Sequence, residues 1–269
     1  MKHSLFFILF LFFVSGCKVN PYKSTNKDYK RQVRQYARIL GEYPLAAAAD
    51  SVPAAPYWVG TTNFNMRKPN FVIIHHTAQN SCPQTLQTFT TTRTQVSAHY
   101  VICRDGTVHH MLNDYLRAWQ AGVSRWGNIT DINSISIGIE IDNNGFEPFS
   151  TQQINSLLHL LSRLKKTYGI PVANFIGHGD IAPTRKNDPS AWFPWKQLAD
   201  SGYGLWYKDT TGICVPQGFN CLTALHLIGY DTRDSSAAAR AFKRHFEQDT
   251  TRTWGDGEAK ILYTLYSQY

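Results

Sequence analysis

A loop punctuated by Gly and Pro, Gly177-His178-Gly179-Asp180-Ile181-Ala182-Pro183-Thr184-Arg185-Lys186-Asn187-Asp188-Pro189, constrains this chain most. Its polar residues can share a site only if the fold brings the loop against a distant apolar segment, Phe71-Val72-Ile73-Ile74-His75-His76. Two imidazoles and one carboxylate are the usual protein donors to a catalytic zinc, which keeps its fourth position for water. His75, His178 and Asp188 are the candidate ligands. Asp180 competes for the third place, although an Asp at the head of a structured loop more often caps a turn. A metal held this way lowers the pKa of water toward 7 and polarises a carbonyl, which suits amide hydrolysis.

The surrounding pattern reads as mixed α/β. Phe71 to His76 is an apolar strand that puts His75 and His76 on opposite faces, so at most one looks into a cleft. Ser134 to Ile141 alternates, with Ile135, Ile137, Ile139 and Ile141 toward a core and Glu140 on the other face, where it can manage protons. Gly138 beside it admits close approach by a substrate or a neighbouring strand. Asp105-Gly106 marks a hairpin, which makes His109 and His110 hairpin side chains rather than ligands. Ser150 to Tyr168 is a helix with Ser150 and Gln153 as a capping box and a stripe of Ile154, Leu157, Leu158, Leu161 and Leu164, stopped by Gly169 and Pro171. His159 is a solvated position on it. Trp119, Trp126 and Trp192 either stack on a sugar or fill the core.

Five segments in order, Ile74-His75-His76-Thr77-Ala78, Ser97-Ala98-His99-Tyr100, Ala118-Trp119-Gln120-Ala121-Gly122, Ser136-Ile137-Gly138-Ile139-Glu140 and His178 to Pro189, resemble the zinc-dependent N-acetylmuramoyl-L-alanine amidases of the AmpD and AmiD type, relatives of peptidoglycan recognition proteins. The resemblance spans roughly residues 57–207 and is close to AmiD-like lipoproteins. It implies one zinc ion on His75, His178 and Asp188, Glu140 as acid/base, and Lys186 stabilising charge on the scissile carbonyl oxygen. Without it, Lys186 would read as a solvated cation. His99 is a structural hydrogen-bonding residue on this reading. Gln120 departs from the family's usual His, which puts a substrate-side hydrogen bond in question. The expected reaction cuts the amide between the lactyl group of N-acetylmuramic acid and L-alanine in peptidoglycan or muropeptides. A silent wall binder and a zinc peptidase acting within the stem peptide are the other readings.

At 269 residues the chain predicts two domains. A formal charge of +8 favours polyanionic partners, but no zinc-finger spacing, RNA-binding aromatic signature or phosphate loop points to nucleic acid. The front, with Lys2 and His3 before an apolar run to Val14, is too short to span a bilayer and ends Val14-Ser15-Gly16-Cys17. It reads as a lipoprotein signal (1–16) with Cys17 lipidated, or as an ordinary signal peptide. The first reading, with Lys18 next, implies an outer-membrane protein facing the periplasm. Residues 17–56 form a basic tether whose helical stripe of Val33, Tyr36, Ala37 and Leu40 docks on the catalytic domain or lies against anionic headgroups. A linker rich in Pro and Ala, from Pro44 to Pro56, leads into a catalytic domain at 57–207. Residues 208–269 predict three short helices, and Ile228-Gly229-Tyr230-Asp231 and Ala241 to Phe246 resemble the peptidoglycan-binding domain of AmiD-like enzymes; a helical cap is the alternative. A monomer is expected. With Cys17 lipidated, Cys82, Cys103, Cys214 and Cys221 remain; proximity pairs Cys214 with Cys221, which leaves Cys82 with Cys103.

Overall fold

The computed structural model describes residues 20–42, 59–251 and 254–268. Cys17, the expected signal segment and the linker from Pro44 to Pro56 lie outside the described residues. The chain divides into two compact units, residues 1–64 and 65–269. In the first, helix α1 (Lys23–Gly41) carries Lys23, Lys27, Lys30, Arg34 and Arg38 at three- and four-residue spacing along one side, and none of its residues is buried. Among the described residues no helix is long and apolar enough to cross a membrane.

The second unit contains β1 (Phe71–His76), α2 (Cys82–Thr90), β2 (Tyr100–Ile102), β3 (Val108–His110), β4 (Ser136–Ile141), α3 (Thr151–Tyr168), β5 (Phe175–Gly177), α4 (His178–Ile181), α5 (Trp195–Asp200), α6 (Cys221–Ile228), α7 (Ser235–Phe246) and α8 (Asp256–Tyr266). The strands form one sheet in the order β3-β2-β4-β1-β5. All neighbours are parallel except the β2–β3 hairpin. Parallel strands need cover on both faces, and every residue of β1 is buried accordingly.

One face packs Val72, Ile74, Ile137, Ile139, Ile141 and Phe175 against Leu157, Leu161 and Leu164 of α3. That helix starts at the expected capping box, Ser150 with Gln153, and stops at Gly169, whose φ of 67° suits a residue without a side chain. Ile135 departs from the expected row of isoleucines. It ends a 3₁₀ turn before β4 begins, so its side chain packs partly buried on the opposite face. On that opposite face Phe71, Ile73 and Ile176 meet Leu225 and Ile228 of α6, Phe242 of α7, and Leu262 and Leu265 of α8. The three C-terminal helices thus share a core with the sheet.

Cys82, at the start of α2, is disulfide-bonded to Cys103, just past β2, with a Cα–Cα distance of 5.3 Å. The expected Cys214–Cys221 bridge is not formed; both are free thiols. Cys214 is exposed in a turn-rich segment, whereas Cys221 is committed to the first turn of α6, which Asn220 caps. Nearness in sequence did not confer bridging geometry. Replacing Cys82 and Cys103 by alanine is expected to cost about 3 kcal/mol in denaturant unfolding, from the freed loop entropy of the unfolded chain. Alkylation of the native protein should label Cys214 and spare Cys82 and Cys103.

Candidate active site

Strands β4, β1 and β5 end side by side, and open parallel sheets bind ligands beyond the carboxyl ends of such strands. His75 lies near the end of β1, directly opposite Glu140 of β4 in the parallel register. β5 runs straight into His178, the first residue of α4. Both His75 and Glu140 lie on the sheet face shared with the C-terminal helices, because Ile73 and Gly138 precede them at the two-residue period of a strand.

The loop from His178 returns Asp188 to this point. Asp188 Oδ2 lies 3.0 Å from His75 Nδ1 and 3.1 Å from His178 Nδ1. All three residues are buried. The far nitrogens of both rings face oxygen acceptors. His178 Nε2 donates to the Ala121 carbonyl at 3.0 Å, and His75 Nε2 donates to Gln120 Oε1 at 2.5 Å. The orientation of Gln120 follows from its neighbours: its amide nitrogen donates to Ser136 Oγ at 2.8 Å, and that hydroxyl donates to the Ile132 carbonyl at 2.7 Å. Each imidazole therefore spends its N–H outward and turns a lone pair inward, the arrangement that outer-shell acceptors impose on metal-binding histidines.

Three electron-pair donors facing one another within 4.8 Å call for a shared cation. Without one, a proton on His75 takes that part: burial opposes it, but Glu140 and Asp188 hold its pKa above the ordinary value. His178 cannot also charge, since burial and the neighbouring His75 push it down to about 4. Asp188 is held well below the usual carboxylate range; burial pushes the other way, but the imidazoles of His178 and His75 beside it prevail. Glu140 Oε1 stands 3.9 Å from His75 Nδ1. Burial raises its carboxyl to about 7, with Asp188 adding to the effect and His75 and Lys186 opposing it. Lys186 is half-buried and near enough for its ammonium to act on Glu140.

Asp180, the competing aspartate, faces away from the rings and accepts from Gly177 N–H at 2.7 Å. His76 accepts from the backbone N–H of Ser190, at 3.0 Å. His99 accepts from Gly138 N–H through Nδ1 and donates to the Leu116 carbonyl through Nε2, a structural role. His109 lies close to Cys82 and Cys103, but their sulfurs are bonded to each other and offer no thiolate. Trp126 belongs to the core, whereas Trp119 and Trp192 are 51% and 56% exposed.

Gln120 requires a correction. It was expected on the substrate side, yet it lies behind His75 and is buried. The reason is Gly138: a Cβ there would sit 2.6 Å from Gln120 Cγ, so the missing side chain admits neither substrate nor strand but this glutamine. Asn133 Oδ1 fixes the segment by accepting from the N–H groups of Gln120 and Ala121. Arg185, which sequence reasoning passed over, donates to the carbonyls of Ala121 and Val123 at 2.8 and 2.7 Å. An Arg next to Lys186 in a polar loop carries no sequence signal of such a task.

Fold and site define a hydrolase of the amidase class, built around two imidazoles, an aspartate and a half-buried glutamate. The profile of the N-acetylmuramoyl-L-alanine amidase family (Amidase_2) matches residues 65–191. The amidase AmiD of Escherichia coli is 36% identical over 222 residues, 71% of this chain and 79% of that protein. The 1,6-anhydro-N-acetylmuramyl-L-alanine amidase AmpD of Haemophilus influenzae is 38% identical over 108 residues, 40% of this chain and 59% of its own. Among solved structures, E. coli AmiD in complex with anhydro-N-acetylmuramic acid-L-Ala-D-γ-Glu-L-Lys superposes with a TM-score of 0.69 at 28% identity, over 78% of this chain and 93% of that one. AmpDh3 of Pseudomonas aeruginosa in complex with anhydromuramic pentapeptide gives 0.69 at 29% identity, over 82% and 99%. The chain belongs to the N-acetylmuramoyl-L-alanine amidase family and is an enzyme of that kind.

Gln120→Leu is expected to leave the buried His75 Nε2–H without an acceptor and to cost about 1–3 kcal/mol in thermal or denaturant unfolding.

Proposed function

We propose that His75, His178 and Asp188 hold one zinc ion, and that Glu140 and Lys186 use it to hydrolyse the amide between the N-acetylmuramic acid lactyl group and L-alanine. The convergence of His75 Nδ1, His178 Nδ1 and Asp188 Oδ2, with both Nε2 atoms already engaged, carries this reading. Zinc in such a site keeps an open position, lowers the pKa of water toward neutrality and polarises a carbonyl. Glu140, beside His75, takes a proton from the attacking water and returns it to the departing L-alanine nitrogen. Burial raises the Glu140 carboxyl above the ordinary range, toward that of a group that can both take and return a proton. Lys186 brings positive charge to the carbonyl oxygen as it becomes anionic. The exposed indoles of Trp119 and Trp192 offer faces on which a sugar ring stacks.

Peptidoglycan or muropeptides are the substrate class, supported by the anhydromuropeptides in the solved AmiD and AmpDh3 complexes. We further read Cys17 as lipidated, which would place a monomeric enzyme on the outer membrane facing the periplasm, with α1 offering its basic side to anionic headgroups. Residues 208–269 would hold the enzyme to the wall through their outer surface, where Leu222 and Leu227 are exposed. Nucleic acid has no part in this reading.

Mass spectrometry of digested sacculi tests the reaction. Free peptides beginning with L-alanine are expected; shortened peptides still attached to glycan would indicate a peptidase, and no products a binder. Glu140→Ala should retain zinc and lose about 10²- to 10⁴-fold in rate. Glu140 accepts a proton only when ionised, and a bound cation lowers its pKa. The acid limb of the pH–rate profile is therefore expected at or below about pH 7.

A further inference from the structure

We propose that α6 and α7 position the turn that carries His178, through the carboxylate of Asp180. Asp180 is buried and accepts three hydrogen bonds. One, from Gly177 N–H to Oδ2 at 2.7 Å, closes the α4 turn on itself. The other two come from the C-terminal helices and their junction: Tyr230 Oη donates to Oδ1 at 2.9 Å, and His245 Nδ1 donates to Oδ2 at 2.7 Å. Tyr230 follows α6 and His245 belongs to α7. They are 2% and 4% exposed, so neither is available to a polymer in solution.

The glycines on either side of His178 serve the same end. A Cβ on Gly177 would lie 2.9 Å from Pro189 Cδ and 3.1 Å from the Trp195 ring. A Cβ on Gly179 would lie 2.1 Å from Arg244 Nη1, so the α7 guanidinium occupies the space that any side chain there would need. Gly179 N–H in turn donates to the Asp188 carbonyl at 2.6 Å, which ties the His178 turn to the aspartate that the loop returns to the site. His245 is itself fixed by stacking on Trp195, with ring centroids 3.9 Å apart.

The grip on the other side is steric. A Cβ on Gly229 would lie 2.3 Å from the Trp126 ring, and Trp126 meets Tyr230 edge-on at 5.0 Å. Gly127 N–H donates to the Gly229 carbonyl at 2.7 Å, and Arg125 N–H to the Ile181 carbonyl at 2.8 Å, at the end of α4. The two sequence pieces that resemble a wall-binding module, Ile228 to Asp231 and Ala241 to Phe246, thus direct Ile228, Tyr230, Phe242, Arg244, His245 and Phe246 inward. Any hold on the wall comes from the other side of these helices. Tyr230, Arg244 and His245 are positioning residues: they act through Asp180 and Gly179 on His178.

The effect on metal rests on the zinc reading above, so the experiment includes a measurement that does not. Tyr230→Phe removes one hydroxyl, His245→Leu removes the second donor, and His245→Asn restores an N–H near the position of Nδ1. In metal-free protein, hydrogen exchange of segment 177–188 is expected to quicken in Tyr230→Phe and His245→Leu and to stay near wild type in His245→Asn. Zinc affinity, measured by competition with a chromophoric chelator, should fall about ten-fold or more in the first two variants, the usual scale for outer-shell losses. Sedimentation of the metal-free proteins with intact sacculi should be unchanged. A role in packing alone would lower the melting temperature and leave exchange of this segment and zinc affinity of the folded variants at wild-type values, which would overturn the inference. So would loss of sacculus binding with unchanged exchange. If wild type takes up no zinc, the zinc reading fails and exchange still decides; if His245→Leu does not fold, Tyr230→Phe decides.

Discussion

Everything in the active site depends on one oxygen, Asp188 Oδ2, placed within hydrogen-bond distance of two imidazole nitrogens. The cause lies on the outer side of each ring. Because Gln120 and the Ala121 carbonyl accept the Nε2 protons, the inner nitrogens are left as acceptors beside a carboxylate. Such a cluster is electrostatically incomplete without positive charge. Burial makes the imbalance severe, since little solvent is present to screen it.

The sheet supplies the precision. Parallel pairing with β4 puts His75 opposite Glu140, and the immediate passage from β5 into α4 leaves no flexible connection before His178. Only Asp188 arrives on a long loop, and that loop is restrained by Gly179, by Ser190 bonded to His76, and by Arg185 pinned to the 121–123 carbonyls. The burial that raises Glu140 follows from the same architecture, because a strand residue at the junction of two packed layers has little access to water.

Much of this was legible in the sequence, for identifiable reasons. The α3 capping box, its apolar stripe and its glycine stop are local signals, and local physics determined that helix. The alternation around Glu140 gave the strand and its facing, with a slip at Ile135 because a 3₁₀ turn was still in force there. His75, His178 and Asp188 were distinguished by residue type and by resemblance, and Asp180 was set aside as a turn cap, consistent with its bond from Gly177 N–H. What was illegible is non-local. Nothing in Trp119-Gln120-Ala121-Gly122 says that a glycine in β4 opens the space for Gln120, and nothing near Arg185 says which carbonyls it meets. The Cys214–Cys221 pairing failed for the same reason: spacing along a chain carries no information about thiol orientation.

The core shared by the sheet and α6–α8 bears on how such proteins are recombined. A C-terminal helical segment that packed only on itself could be exchanged as a cassette. Here a chain cut after residue 207 would lay bare Phe71, Ile73, Trp126 and Ile176 and strip Asp180 of two donors. The three helices are built into the core under the sheet, and grafting a different tail in their place would require redesigning the floor beneath the histidines.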